Sequence, residues 1–318
     1  MKHLLFVWLL CLCLGDGMAS AQKSEPILVG YGRDPKWSPG EMSISLIRND
    51  TLYVTRLDSA HQTSAIHAGP IFKYEWLDDS TLVTQERRYF DAKDGKRMVE
   101  KILRVSLSGK VEEAANDSSR VFSREGRRLG LMKFADGSLG YSDYARGEEE
   151  IVKLSTRAST AMSAEKASSS LFVDTDPASW GKVWLYYGSK DNGRQITKSA
   201  NTYSLPRLAP TGDKFLCKNH RGEIVIYDTL DNALANLGRA DMESWDASGQ
   251  YVVYCGCAYS EFDIEKSDIF LSKYDGTETV QLTATPDIIE FEPAFSPSSR
   301  HIIYSNERTG AIYVQRVR

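Results

Sequence analysis

Past its first 21 residues the chain has no apolar run of the roughly 20 residues needed to cross a bilayer, and no long stretch with the 3.6-residue period of an amphipathic helix. Its 39 Lys+Arg form no basic cluster and are outnumbered by 43 Asp+Glu, giving a net charge of −4. That balance excludes an electrostatic nucleic-acid binder. With 23 Gly and 10 Pro, the composition is neither collagen-like nor low-complexity. No Gly-x-Ser-x-Gly elbow and no α/β region is present, so a hydrolase domain is missing. Gly-rich phosphate loops are absent too. Cysteine is scarce: past the leader only Cys217, Cys255 and Cys257 remain. Cys255-Gly256-Cys257 lacks the two-residue spacer of a zinc knuckle or redox pair, and no second pair exists. An odd number allows at most one intrachain bridge, and the three read best as small apolar strand residues. No cofactor or metal is expected.

What is present begins with a leader. Met1-Lys2-His3 is basic, Leu4 to Leu14 is apolar, and Ala19-Ser20-Ala21 is a small-residue cleavage site. This order predicts a signal peptide over residues 1–21. Residues 22–318 then form a single exported domain, periplasmic or secreted, with no membrane span.

That domain repeats itself. Trp37-Ser38-Pro39-Gly40 leads into Ser43-Ile44-Ser45-Leu46 and then Leu52-Tyr53-Val54. Phe295-Ser296-Pro297 leads into His301-Ile302-Ile303-Tyr304 and then Ile312-Tyr313-Val314. Looser copies are anchored at Trp76, Phe122, Leu208 and Trp245. The interval from 122 to 208 is double the others, so one copy is hidden around residue 165 and the mean period is about 43 residues. Each copy reads as short β-branched and aromatic runs separated by Gly, Asp, Asn or Pro. Glu150–Leu154, Arg194–Thr197 and Thr279–Thr283 are expected as fourth strands, and residues 155–170 as a loop with a weak inner strand.

Four short strands per 43 residues describe a propeller blade. The expected fold is all-β: a β-propeller of four-stranded antiparallel blades. Seven blades are counted, or six if the region near residue 165 is an insertion. The last copy ends after three strands, and Ile27–Tyr31 is a strand without a blade. It is expected to complete the final blade and close the ring.

The aromatic-Ser-Pro string, followed by a turn, a strand and Ile/Leu-Tyr-Val, resembles the repeats of TolB-like propellers, also called WD40-like or PD40 repeats. Trp37-Ser38-Pro39-Gly40, Phe295-Ser296-Pro297, Leu52-Tyr53-Val54 and Ile312-Tyr313-Val314 carry the resemblance. It implies an extracytoplasmic propeller that serves as a protein-interaction scaffold of a bacterial envelope. The motif is architectural and names no chemistry.

Four histidines follow the leader, His61, His67, His220 and His301, and none is expected on an inner strand, where ligands could converge. Asp78-Asp79 reads as a solvated turn. Binding is placed on the residues just before the anchors, at the channel mouth: Asp34, Glu75, Arg207, Glu243, Glu290 and Glu292. With more acid than base, they would suit a basic or amine-bearing peptide. Arg87–Arg97 and Tyr259–Ser267 are the longest insertions and mark contact surfaces. The expected protein is a monomeric, non-enzymatic scaffold with a protein or peptide partner. The alternative is a glycan lyase or hydrolase using carboxylates at the mouth.

Overall fold

The computed structural model describes residues 24–58, 62–92, 95–117, 128–145, 148–154, 164–166, 171–176, 179–198, 201–260, 264–286 and 288–317. Among them there are 27 strands and no α-helix. After β1 (Ile27–Tyr31), blade one holds β2 (Arg33–Trp37), β3 (Ser43–Arg48), β4 (Thr51–Arg56) and β5 (Thr63–Ala68). Blade two holds β6 (Ile71–Asp78), β7 (Thr81–Ala92), β8 (Gly95–Ser106) and β9 (Val111–Asp117). Blade three holds β10 (Arg128–Lys133), β11 (Leu139–Ala145), β12 (Glu148–Leu154) and β13 (Ala164–Lys166). Blade four holds β14 (Leu171–Asp176), β15 (Lys182–Tyr187) and β16 (Gly193–Gln195). Blade five holds β17 (Tyr203–Leu208), β18 (Lys214–Asn219), β19 (Glu223–Asp228) and β20 (Ala233–Arg239). Blade six holds β21 (Asp241–Trp245), β22 (Tyr251–Tyr259), β23 (Ile264–Lys273) and β24 (Thr279–Gln281). Blade seven holds β25 (Glu290–Phe295), β26 (His301–Asn306) and β27 (Ala311–Arg316), with β1 as its fourth strand. The fold is a seven-bladed β-propeller.

The ring exists because each middle strand has two apolar faces. Side chains alternate across a strand, so consecutive residues go to opposite neighbours. Ile302 packs between blades six and seven, whereas Ile303 packs between seven and one. Val252 and Val253 divide in the same way between the interfaces on either side of blade six. Seven buried clusters result among the described residues, one at each junction of successive blades. The junction of the last blade with the first is built like the rest, with Val29 of β1 inside it.

Closure follows the expected register. β1 runs antiparallel to β27, pairing Ile27 with Val314 and Tyr31 with Ala311. Gly32 N donates to Gly310 O at 2.8 Å. Ser24 exchanges two hydrogen bonds with the Arg316 backbone, at 3.1 and 3.0 Å.

The anchor motif has a local cause. Ser38 Oγ accepts the Ser43 amide at 3.2 Å, Asp246 Oδ1 that of Tyr251 at 2.9 Å, and Ser296 Oγ that of His301 at 3.3 Å. The side chain after the aromatic thus closes the turn into the second strand. These turns also clasp one another on one face, here called the upper face. Gly40 N donates to Asp79 at 2.6 Å, Ala247 N to Ser299 Oγ at 3.0 Å, and Ser298 Oγ to Glu41 at 3.0 Å. The left-handed residue of the turn is Gly212 or Gly249 in two blades but Glu41 and Ser299 in two others, both at φ 59°. That conformation costs a non-glycine residue about 1–2 kcal/mol, offset here by the bonds those side chains make to the neighbouring turn.

Three expectations are corrected. An anchor at Phe122 makes the following run, Arg128–Met132, the second strand of its blade; that run is instead the first strand, and its turn is Phe134–Gly137, where Gly137 N bonds to Phe134 O. Phe122 itself lies outside the described residues. Glu150–Leu154 belongs to the third strand, and Ala164–Lys166 is outer, paired to β12, rather than inner. Blade four has three strands among the described residues, and its bonds match strands two to four of blade six. Val183 N binds Thr197 Oγ1 at 2.9 Å as Ile269 N binds Thr283 Oγ1 at 2.8 Å. The leader lies outside the described residues.

Two outcomes test the ring. Deleting residues 22–32 should remove β1 and lower Tm by more than about 5 °C; an unchanged melting curve would refute the closure. Ser299→Ala, which keeps the left-handed turn but loses the bond to Ala247, should cost about 1 kcal/mol in denaturant titration.

Candidate functional site

Because strands alternate in direction, the turns joining second to third strands lie on the face opposite the anchors, the lower face. The inner strands start there. They ring the axis: β2 touches both β25 and β6, and β21 touches β25. Four of them carry the same irregularity. Asp34, Leu205, Met242 and Glu292 are left-handed, with φ of 50°, 51°, 53° and 54°. The ladder jumps at each: between Arg33 and Lys36, Ser204 and Arg207, Asp241 and Ser244, Phe291 and Ala294. Such a bulge leaves an amide outside the ladder, and three of the four place Pro35, Pro206 or Pro293 next, a residue with no amide to leave unpaired. The bulge turns the side chains ahead of the anchors toward the channel mouth.

The six expected residues all lie on inner strands, and the structure brings Asp34, Glu75 and Glu292 together. Glu292 Oε2 accepts the Asp34 amide at 2.7 Å. Lys36, absent from the expected set, bridges Asp34 at 3.2 Å and Glu75 at 3.0 Å. Burial alone would raise the Glu75 carboxyl, but Lys36, Lys133 and Lys73 together hold it at about 2. Burial disfavours the Lys36 ammonium, yet Glu75 and Asp34 raise it above the usual lysine range. Burial also raises the Asp34 carboxyl, against the pull of Lys36. Glu292 is raised by burial and then by Asp34. Tyr74 donates to Asp34 O, and the Trp76 indole reaches Lys36 O at 3.4 Å. At the equivalent position in blade six, Trp245 Nε1 donates to Arg207 O at 3.1 Å. Trp76 and Trp245 thus fasten their blades to the previous inner strand, whereas Trp37 Nε1 is buried without a hydrogen-bond partner.

Arg207 and Glu243 form a separate pair, Nε to Oε1 at 3.0 Å, with the carboxylate buried and the Arg207 side chain 53% exposed. Lys73 donates to Leu131 O at 2.9 Å. Burial lowers its ammonium, Glu75 opposes this, and Lys36 and Arg207 lower it further. The structure adds Lys36, Lys73 and Lys133 to the inner strands that carry the expected acidic residues. Sequence reading missed Lys36 because the bulge at Asp34 breaks strand alternation. Pro35, two residues before the anchor Trp37, was the available signal.

Glu290 stands away from this group, buried between blades six and seven. Its carboxylate accepts from Thr285, while its Oε2 and Asp268 Oδ1 are buried without a hydrogen-bond partner. Burial raises its pKa, Thr285 opposes, and Asp268 adds to the rise. It supports no ligand-facing role.

The remaining candidates are structural. Asp78 accepts from Ser80 within its turn, and Asp79 from Gly40. His67, on the outer strand β5, meets Glu86 at 2.5 Å; His220 is in a turn and His301 starts β26; His61 lies outside the described residues. Cys217 and Cys255 are buried and all three cysteines are free. No cluster of three metal-ligating side chains occurs among the described residues.

Both insertions project from the lower face. β7 and β8 pair over twelve residues each, and β22 and β23 pair from Tyr251 to Lys273. Phe72, Trp180, Leu205, Met242 and Tyr259, at or beside the lower-face ends of their strands, are exposed apolar side chains.

No protein-family model matches the chain, and no curated protein matches it. Among solved structures, the β-propeller domain of Cps50 (Swd1) from Myceliophteria thermophila is similar at 11% identity, covering 93% of this chain and 99% of that one, with a TM-score of 0.52. The likeness is one of fold. TolB from Acinetobacter baumannii also aligns, at 14% identity over 89% of this chain and 62% of that one, with a TM-score of 0.43.

Glu290 gives a pH prediction. A carboxyl raised on folding contributes its full stability below the unfolded value of about 4.3 and loses it as pH rises through the folded value. Glu290→Gln should therefore raise Tm at pH 8, by roughly 1 kcal/mol in stability, and leave it unchanged at pH 4.

Proposed function

We propose that this chain is an exported, non-enzymatic propeller that binds a protein or peptide across its lower face, in the cell envelope or outside the cell. The observation that carries this reading is spatial. Two long hairpins, far apart in sequence, rise on the same face as the channel mouth, and exposed apolar side chains of several blades lie on that face. Apolar side chains exposed on one face suit contact with another macromolecule. Leu205 and Met242 are held outward by left-handed backbone, a strain that persists where the surroundings fix it.

The chemistry of the mouth favours binding over catalysis. A glycosidase needs two carboxyl groups free to meet a sugar. Here Asp34 and Glu75 are held by Lys36, Glu243 by Arg207, and Glu290 is buried. Export rests on the leader, with cleavage after Ala21. No helix among the described residues is long and apolar enough to cross a membrane.

Capture from envelope extract tests the face. Leu205→Asp with Met242→Asp, or a two-residue turn in place of 88–99, should weaken partner capture at least ~10-fold without shifting Tm. Retained capture in both variants would overturn the reading. Mass spectrometry of protein recovered from the exporting host should find Gln22 at the N-terminus.

A further inference from the structure

We infer that the channel mouth recognises the carboxylates of an acidic peptide segment through the spare donors of Lys73 and Arg207. This rests on the lower-face reading above and gives its partner a chemistry, opposite in sign to the one composition suggested.

The argument is an account of which charges are already engaged. Asp34 and Glu75 share Lys36, and Asp241 is bound by both Lys218 and Tyr259. Glu243 holds Arg207 Nε, and Glu292 accepts the Asp34 amide. The acids lining the mouth are thus occupied from within the ring. The cations divide differently. Lys36 and Lys218 have carboxylate partners, but Lys73 has no carboxylate within ion-pair distance among the described residues and spends one donor on the Leu131 carbonyl. An ammonium carries three donors, so two remain. Arg207 uses only Nε, and its half-exposed guanidinium keeps the terminal N–H groups that bind a carboxylate in a two-pronged fashion.

These two side chains belong to inner strands of blades two and five, and both strands start on the lower face. Arg33 and Lys133 on neighbouring inner strands are exposed and add to the field. Leu205, two residues before Arg207, and Met242, beside Glu243, present apolar surface at the same mouth. Apolar contact beside the anion-binding groups suits a polypeptide with acidic side chains rather than a small inorganic anion. A nucleic acid would require the basic patch that this chain, at net −4, does not have.

The test uses the mature chain, residues 22–318, with fluorescein-labelled hexaglutamate and hexalysine peptides in anisotropy titrations. Hexaglutamate should bind, more weakly at higher salt, and hexalysine should not. Lys73→Gln should weaken hexaglutamate about tenfold or more. Arg207→Lys keeps a cation for buried Glu243 but loses the fork, and should weaken it several-fold. Lys110→Gln, on the upper-face turn of blade two, should bind as the unaltered chain does. Tighter binding of hexalysine, full binding by both mouth variants, or equal competition by inorganic phosphate would each overturn the inference. The two readings fail separately. Full partner capture by Lys73→Gln with Arg207→Lys sinks the acidic peptide and spares the face. Full capture by the Leu205/Met242 variant, with hexaglutamate still bound, sinks the face and spares the anion site.

Discussion

The structure depends on one constraint: a blade has two apolar faces and can cover neither alone. Every middle strand therefore needs a neighbour on each side, and only a closed ring provides that for all seven. The seven inter-blade clusters are the core of this protein, distributed rather than central. The axis is thereby left to polar side chains, because no apolar layer is required there. A charged mouth is a consequence of the same geometry that buries Ile302 on one side of a sheet and Ile303 on the other.

The junctions are reinforced by directional bonds that have no counterpart in a simple stack. On the upper face the anchor turns hold one another through Asp79, Glu41 and Ser299. Inside, Trp76 and Trp245 donate to inner-strand carbonyls of the preceding blade. Gln85 and Glu100 of blade two likewise bind the backbone of Leu129 and Leu131 in blade three. Inner strands have one edge with no strand beside it, and neighbouring side chains satisfy that edge. Orientation between blades is therefore fixed as firmly as their contact.

The repeat, the blade count and the closing strand could be read from sequence because each depends on local alternation and spacing. Trp37-Ser38-Pro39 and Phe295-Ser296-Pro297 advertise turns whose hydroxyl closes the hairpin. The third blade was misplaced because Phe122-Ser123 imitates that signal, whereas the true turn, Phe134-Ala135-Asp136-Gly137, lacks the serine. The site was half legible. The six expected residues do lie on inner strands, but the lysines among them were not foreseen. Lys36 follows a bulge that plain alternation does not predict, and pairings such as Lys36 with Glu75 join different blades.

The closing strand also orders events in time. Ser24 and Arg316, which bond to each other, are separated by 292 residues. Chain synthesis delivers β1 before every other strand and β27 after all of them. Until β27 emerges, β1 has no partner and the first and last interfaces stay exposed, so the ring cannot finish while any part of the chain is still being made. Long-range pairing of this kind folds slowly. The architecture withholds the closed ring until the strands at both ends of the propeller are available.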